Sequence, residues 1–319
     1  MISNVKAGPR WLTALVTFAG LAALALTTAC GGGSSQQEVF VPQRLLVFGD
    51  DNSVIAANGR KYSVNGLASA SVFDCTLEPI WVQQLAGLYG FVFAECNNNA
   101  TANPRAIMRA AVGAKVADVS AQVDAQVAAG GFADKDLATV LAGGNDVLEL
   151  YRQYPGVSEA ALLNEARARG RQLGLVVNRL VAAGVKVVVS DLPDMGMSPY
   201  ALSENAAGPA GFDRAALITR LTVAFNEQLG VNIVLDGRFV GLVQSQLRFE
   251  AIKRFPASFG LSNITQPICT VALPDCTTAT LVSAAVTSQY LWADATRLAP
   301  GGHAQLGALA ADRAQRNPF

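Results

Sequence analysis

The chain has 319 residues, 51% of them hydrophobic and 15% charged, with 24 basic and 24 acidic side chains and a formal net charge of zero. That balance excludes a basic nucleic-acid-binding protein, and no segment gathers lysine and arginine onto one face. The apolar content excludes a disordered chain and predicts a packed core, with no internal repeat and no second linker.

The first element is an export segment. Lys6 and Arg10 precede an apolar run over residues 11–26, which ends on Thr27-Thr28-Ala29-Cys30. A basic start, a short apolar run and small residues at its end mark a signal sequence. Gly31-Gly32-Gly33-Ser34-Ser35 follows with linker composition. The segment resembles a bacterial lipoprotein signal, in which Cys30 carries lipid and begins the mature chain, although Thr27 stands where such signals usually carry leucine. The resemblance implies a signal peptide over 1–29, a lipidated cysteine and linker over 30–42, and a single domain over 43–319. It also implies a place in the cell envelope. Glycine rather than aspartate after Cys30 favours the outer membrane, on its periplasmic or surface side. An uncleaved membrane anchor is the alternative, against which the shortness of the run speaks. Both readings export the folded part.

Five short apolar runs then read as strands: Arg44–Gly49, and residues 90–95, 137–142, 185–190 and 231–236. Their near-continuous apolar character suits strands buried on both faces of a parallel sheet. Helical spacing occupies residues 79–88, Val116–Ala128, 159–183 and 212–229, and a last helix starts at Pro300, with proline in its first turn. The alternation predicts an α/β fold: a three-layer α/β/α sandwich around a doubly wound, mostly parallel sheet of about five strands, flavodoxin-like in class. In such sheets ligands sit beyond the carboxyl ends of the strands. Asp50-Asp51-Asn52-Ser53 and Gly144-Asn145-Asp146 fall there.

With Cys30 set aside, Cys75, Cys96, Cys269 and Cys276 remain, an even number in an oxidising compartment. Three pairings are open, and closeness in sequence favours Cys75–Cys96 and Cys269–Cys276. A zinc site is the rival, but no C-x-x-C spacing exists and the one histidine is not adjacent.

The segment Phe48-Gly49-Asp50-Asp51-Asn52-Ser53 resembles the first motif of the SGNH, or GDSL, lipase and esterase family, Phe-Gly-Asp-Ser-x-Ser. Three further motifs follow in family order. Ala110-Ala111-Val112-Gly113-Ala114 is similar to the second, Gly144-Asn145-Asp146 to the third, and Asp294-Ala295-Thr296-Arg297 to the fourth, Asp-x-x-His. Leu192-Pro193-Asp194-Met195-Gly196, Phe225-Asn226 and residues 259–265 also look familial. The resemblance implies an ester-hydrolase fold with an oxyanion hole formed by the Gly113 N–H and the Asn145 amide. It places Asp51 at the nucleophile position, Arg297 at the base position, and Asp294 at the orienting acid.

Two departures decide the chemistry. A serine hydroxyl attacks only when a nearby base takes its proton. A guanidinium, with a pKa above about 12, is never that base. A carboxylate at position 51 attacks without activation, but it would form an anhydride with an acyl group and leave no base for the hydrolytic water. The two changes also complement one another: Asp51 and Arg297 would form a charge-assisted pair, with Asp294 on the other side of the guanidinium. Side chains turned separately to solvent are the alternative.

Several rescues remain open in the sequence. Ser53 with His303, the one histidine, would make a relocated pair, although Ser53 also suits a helix cap and His303 a structural or surface role. Ser63 would serve if the motif were displaced. Asp51 as a covalent nucleophile lacks a base. Asp50, Asp51, Asp146 and Asp294 would hold a metal only if Arg297 stayed away, so neither metal nor cofactor is expected. Three functions compete: a binding protein derived from an esterase, for a small-molecule, acyl-ester or glycan ligand; a hydrolase using Asp51 or Ser53 with His303; and a scaffold with a vestigial cleft. The loops over 60–77, 95–109 and 200–213 are expected to shape the cleft, with Lys61 and Tyr62 as candidate contacts.

Overall fold

The structure is a computed structural model and describes residues 40–319. The expected signal peptide, Cys30 and the linker up to residue 39 lie outside the described residues.

Five parallel strands form the central sheet: β1 (Arg44–Gly49), β2 (Ala106–Met108), β3 (Asp136–Leu141), β4 (Lys186–Ser190) and β5 (Val240–Val243). Their order is β2-β1-β3-β4-β5, the order of a flavodoxin-like sheet. Among the described residues eight helices accompany them: α1 (Trp81–Leu88), α2 (Val116–Ala128), α3 (Gly144–Tyr151), α4 (Glu159–Ala182), α5 (Pro199–Ala207), α6 (Arg214–Asn232), α7 (Ser245–Arg254) and α8 (Pro300–Arg316). Helices α2, α4 and α6 pack in one group and α1, α7 and α8 in another. The sheet between them makes the three-layer sandwich. Leu45, Leu46, Val47 and Phe48 are consecutive and fully buried, because helices cover both faces of β1.

Two expected strands are displaced. Residues 90–95 form no strand. Phe93 makes only single bridges, to Cys96 and Ala106, and the strand beside β1 is the three-residue β2, too short to show a period. Residues 231–236 are not a strand either. Val231 and Asn232 end α6, and Val231 and Leu235 are 72% and 71% exposed. The edge strand is β5 instead, where Gly241 admits the Arg313 Cβ at 3.2 Å from the place its own Cβ would take. Helices α3, α5 and α7 add to those read from the sequence.

Two contacts fix the upper end of β1. Gly49 has φ +141°, and a Cβ there would lie 2.1 Å from the Leu141 carbonyl oxygen, so only glycine ends the strand this close to β3. Beyond that point the buried Gln122 side chain continues the ladder. Its Oε1 accepts the Gly49 N–H at 2.8 Å, and its Nε2 donates to the Gly49 carbonyl at 2.9 Å. Disulfides join Cys75 to Cys96 and Cys269 to Cys276, which settles the pairing left open by the sequence.

Candidate functional site

Strand order reverses between β1 and β3, and the crevice above their carboxyl ends is where such a sheet receives ligands. Asp50 caps a single helical turn, Asp51–Ser53, by accepting the Asn52 N–H on Oδ1 at 3.1 Å. After β3 the chain turns at Gly143, φ +121°, where a Cβ would fall 2.4 Å from the Phe225 ring. That turn puts Asn145 in the first turn of α3. The loop after β2 carries Gly113 at φ +72°. The loop before α8 is folded by Asp294, whose Oδ1 accepts the N–H groups of Thr296 at 2.9 Å and Arg297 at 2.7 Å.

These segments meet on Asp51, which is 4% exposed. Its Oδ1 accepts from Arg297 Nε at 3.0 Å and Nη2 at 2.8 Å. Its Oδ2 accepts from the Gly113 N–H at 3.0 Å and the Asn145 Nδ2 at 2.9 Å. Arg297 Nη1 reaches Asp294 Oδ2 at 2.7 Å. Asp51, Arg297 and Asp294 therefore form one ion-pair chain. The Tyr62 ring lies over the guanidinium, 5.6 Å from its centre.

The electrostatics follow from the donors. Burial alone would raise the Asp51 carboxyl, but the bonds from Asn145, Arg297 and Gly113 and the guanidinium charge outweigh it and hold the group below the ordinary carboxylate value. Burial works against the charge of Arg297, and the Asp51 and Asp294 carboxylates overcome it, raising its pKa. Asp50 behaves in the opposite way. Burial, then the charge of Asp51, push its carboxyl up to about 8, so it holds a proton at neutral pH. Asp146 is raised to about 6, mainly by burial. It accepts from Val116 N and Arg169 Nη1 and does not touch Asp51. Among the described residues these aspartates form no group that could hold a metal ion.

Leu141, Leu148, Leu192, Met195, Trp292 and Leu298 wall the crevice beside these polar groups, and the free space above the carboxylates is about 20 Å³, room for one water. A larger hollow of about 180 Å³, lined by Gln83, Phe91 and Asn97 among others, shares no residue with the crevice. The crevice is the candidate site, because the converging donors and displaced pKa values are there.

The other candidates lie elsewhere. His303 is fully buried, not at the surface. Its Nδ1 accepts the Trp81 N–H at 3.5 Å, its Nε2 has no partner, and burial pushes its pKa down to about 3. Ser53 is also fully buried and caps no helix; its Oγ accepts the Trp81 indole N–H at 3.2 Å. No hydrogen bond links Ser53 to His303. Ser63 donates to the Leu298 carbonyl at 2.8 Å from inside the core. Lys61 is no surface contact either. Its buried Nζ donates to the carbonyls of Cys75, Leu77 and Glu78, and burial lowers its pKa to about 8.

The loops over 60–77, 95–109 and 200–213 contribute none of the crevice lining, although Tyr62 stacks on Arg297. The lining comes instead from the turns after β1, β3 and β4 and from the segment before α8. Asn52, a turn residue by sequence, accepts the Leu298 N–H on its Oδ1 at 3.0 Å and ties the first turn to that segment. Asn226 fixes the turn after β4 by pairing with both the N–H and the carbonyl of Leu192, at 2.8 and 2.9 Å.

No protein-family model matches the chain, and no curated protein matches it. Among solved structures it is similar to a lipase from a goat rumen metagenome, at 11% identity over 86% of this chain and 99% of that one, TM-score 0.48. It is also similar to an acetyl xylan esterase, at 13% identity over 83% and 96% of the two chains, TM-score 0.43. A member of the lipolytic G-D-S-L family from Veillonella parvula follows at 12% identity over 84% and 96%, TM-score 0.41. Likenesses of this size assign no activity, and the geometry of the crevice carries the reading.

Proposed function

We propose that this chain is an SGNH-type exported lipoprotein whose ester-hydrolase site is catalytically silent, and that it serves the cell envelope as a ligand-binding or scaffold protein. The observation that carries this reading is the position of the Asp51 carboxylate on both the Gly113 N–H and the Asn145 amide. In acyl transfer such donors stand ready for an oxyanion that develops in the transition state. Here a permanent anion of the protein itself holds them, and Arg297 neutralises it from the other side.

No base replaces the missing one. Arg297 stays protonated, and His303 is buried with its Nδ1 turned to Trp81. Hydrolysis through Ser53 and His303 therefore has neither a proton path nor access. The mixed wall of Leu148, Leu192 and Met195 beside Tyr62 and Arg297 suits an acyl ester or a glycan better than a free ion.

The test is hydrolysis of short-chain aryl esters and acetylated sugars by the purified protein, beside His303→Ala and Ser53→Ala. The expected result is no turnover above background in any of the three. Turnover by the unaltered protein overturns the reading, and its loss in either variant would identify a relocated catalytic pair.

A further inference from the structure

The Gly113 N–H and the Asn145 amide meet on one oxygen of Asp51, yet they arrive from opposite sides of β1. Gly113 follows β2 and Asn145 follows β3, and β1 lies between those two strands in the sheet. Strand pairing alone therefore does not set the distance between the donors. Residues 114–116 are tied to α3 at three points instead. Asn145 Nδ2 donates to the Ala114 carbonyl at 3.0 Å, the Val116 N–H donates to Asp146 Oδ2 at 3.0 Å, and Lys115 Nζ donates to Glu149 Oε1 at 2.7 Å.

Two of those ties end on acids, and one guanidinium holds both acids. Arg169 Nη1, on α4, donates to Asp146 Oδ1 at 3.3 Å and to Glu149 Oε2 at 2.5 Å, while its Nε donates to Glu165 at 3.2 Å. The Arg169 side chain is 19% exposed and that of Asp146 is 4% exposed, so solvent screens this contact less than a surface pair. A buried carboxylate keeps its charge only beside a countercharge. Asp146 is thus aimed at both ends, with one oxygen on the guanidinium and the other on the Val116 N–H. Neither Arg169 nor Glu149 lines the crevice.

We infer that Arg169 is a positioning residue of the crevice: through Asp146 and Glu149 it fixes the gap between the Gly113 N–H and the Asn145 amide, so that the pair is a standing seat for a carboxylate, with or without Asp51 in it. The inference rests on the proposed reading of these two groups as oxyanion donors. It does not depend on the site being catalytically silent.

Asp51→Gly removes a methylene carboxylate, and acetate is the free form of that group, so acetate is the probe. The full-length Asp51→Gly protein is unfolded in urea at neutral pH, with rising acetate at constant ionic strength. The expected result is a saturable rise of the midpoint, which the unaltered protein does not show because Asp51 fills its seat. Adding Arg169→Met should weaken the acetate affinity about tenfold, the equivalent of one well-placed hydrogen bond. Adding Arg220→Met instead, which removes the exposed Arg220–Glu159 pair at the start of the same helix α4, should leave that affinity unchanged. If the Arg169→Met combination does not fold, Glu149→Gln replaces it and should weaken acetate about threefold, because it opens only the more exposed half of the clasp. Acetate affinity that is the same with and without the clasp overturns the inference. So does an Asp51→Gly protein that takes up no acetate, since its donors then need Asp51 to hold them, and so does an equal loss in the Arg220 variant, which would reduce the effect to general stability. Ester turnover by the unaltered protein contradicts the proposed function and leaves the acetate result standing.

Discussion

Asp51 holds four hydrogen bonds on two oxygens, and every donor comes from a different part of the chain or a different atom of Arg297. Removing one charge of such a pair strands the other. Arg297 is 28% exposed, so part of the penalty is screened, and Arg297→Met is expected to cost about 2 kcal/mol in urea unfolding. In a double-mutant cycle with Asp51→Asn, the two losses should be less than additive, because either one alone removes the pair.

Asp50 gives a prediction of the opposite sign. Its folded-state pKa of about 8 lies above the ordinary 3.8, so the folded protein holds a proton that the unfolded chain has released. Stability from this group declines as pH rises from about 4 to about 8. Asp50→Asn should flatten that slope in chemical denaturation across the window. Asp51, held low, acts the other way. Its contribution is present above the ordinary carboxylate value and is lost as acid protonates the pair.

At the level of elements, β1 and its two turns organise the crevice, and Gln122 supports them. Gln122→Ala leaves the buried Gly49 N–H without its partner, while the Gly49 carbonyl keeps the Ala111 N–H at 3.0 Å. It should cost about 2–3 kcal/mol and loosen the turn that carries Asp51; amide exchange at Gly49 measures this directly. The charge-complementary exchange at positions 51 and 297 is visible in the sequence, and the structure puts the two side chains 2.8 Å apart. Strands β1, β3 and β4 were legible because each is an apolar run between turn residues. Strand β2 is three residues inside a polar loop and left no such trace. The run at 231–236 has the composition of a buried strand but the exposure of a surface, and composition does not distinguish the two. Lys61 was misread for a related reason: three carbonyls from a distant segment satisfy its ammonium, and no local pattern announces them.

For the molecule as a whole, the crevice sits at the carboxyl end of one parallel sheet, between the turns that follow its strands. The two disulfides are tied to the same frame. Cys75 lends its carbonyl to Lys61, and Cys75–Cys96 closes a separation of 21 residues. Replacing both of these cysteines with serine should lower stability by about 3 kcal/mol, read as a shift in the urea midpoint of the oxidised protein.

Under the proposed function, Asp51 and Arg297 silence an otherwise assembled site for ester hydrolysis. The most direct measurement is aryl-acetate hydrolysis by the unaltered protein beside Asp51→Ser combined with Arg297→His. Those changes return a hydroxyl and an imidazole to the donors of Gly113 and Asn145 and to the carboxylate of Asp294. The expected result is background rates for the unaltered chain and measurable turnover for the double variant, with neither single change sufficient. A folded double variant that stays inert, or an unaltered protein that turns over, would contradict it.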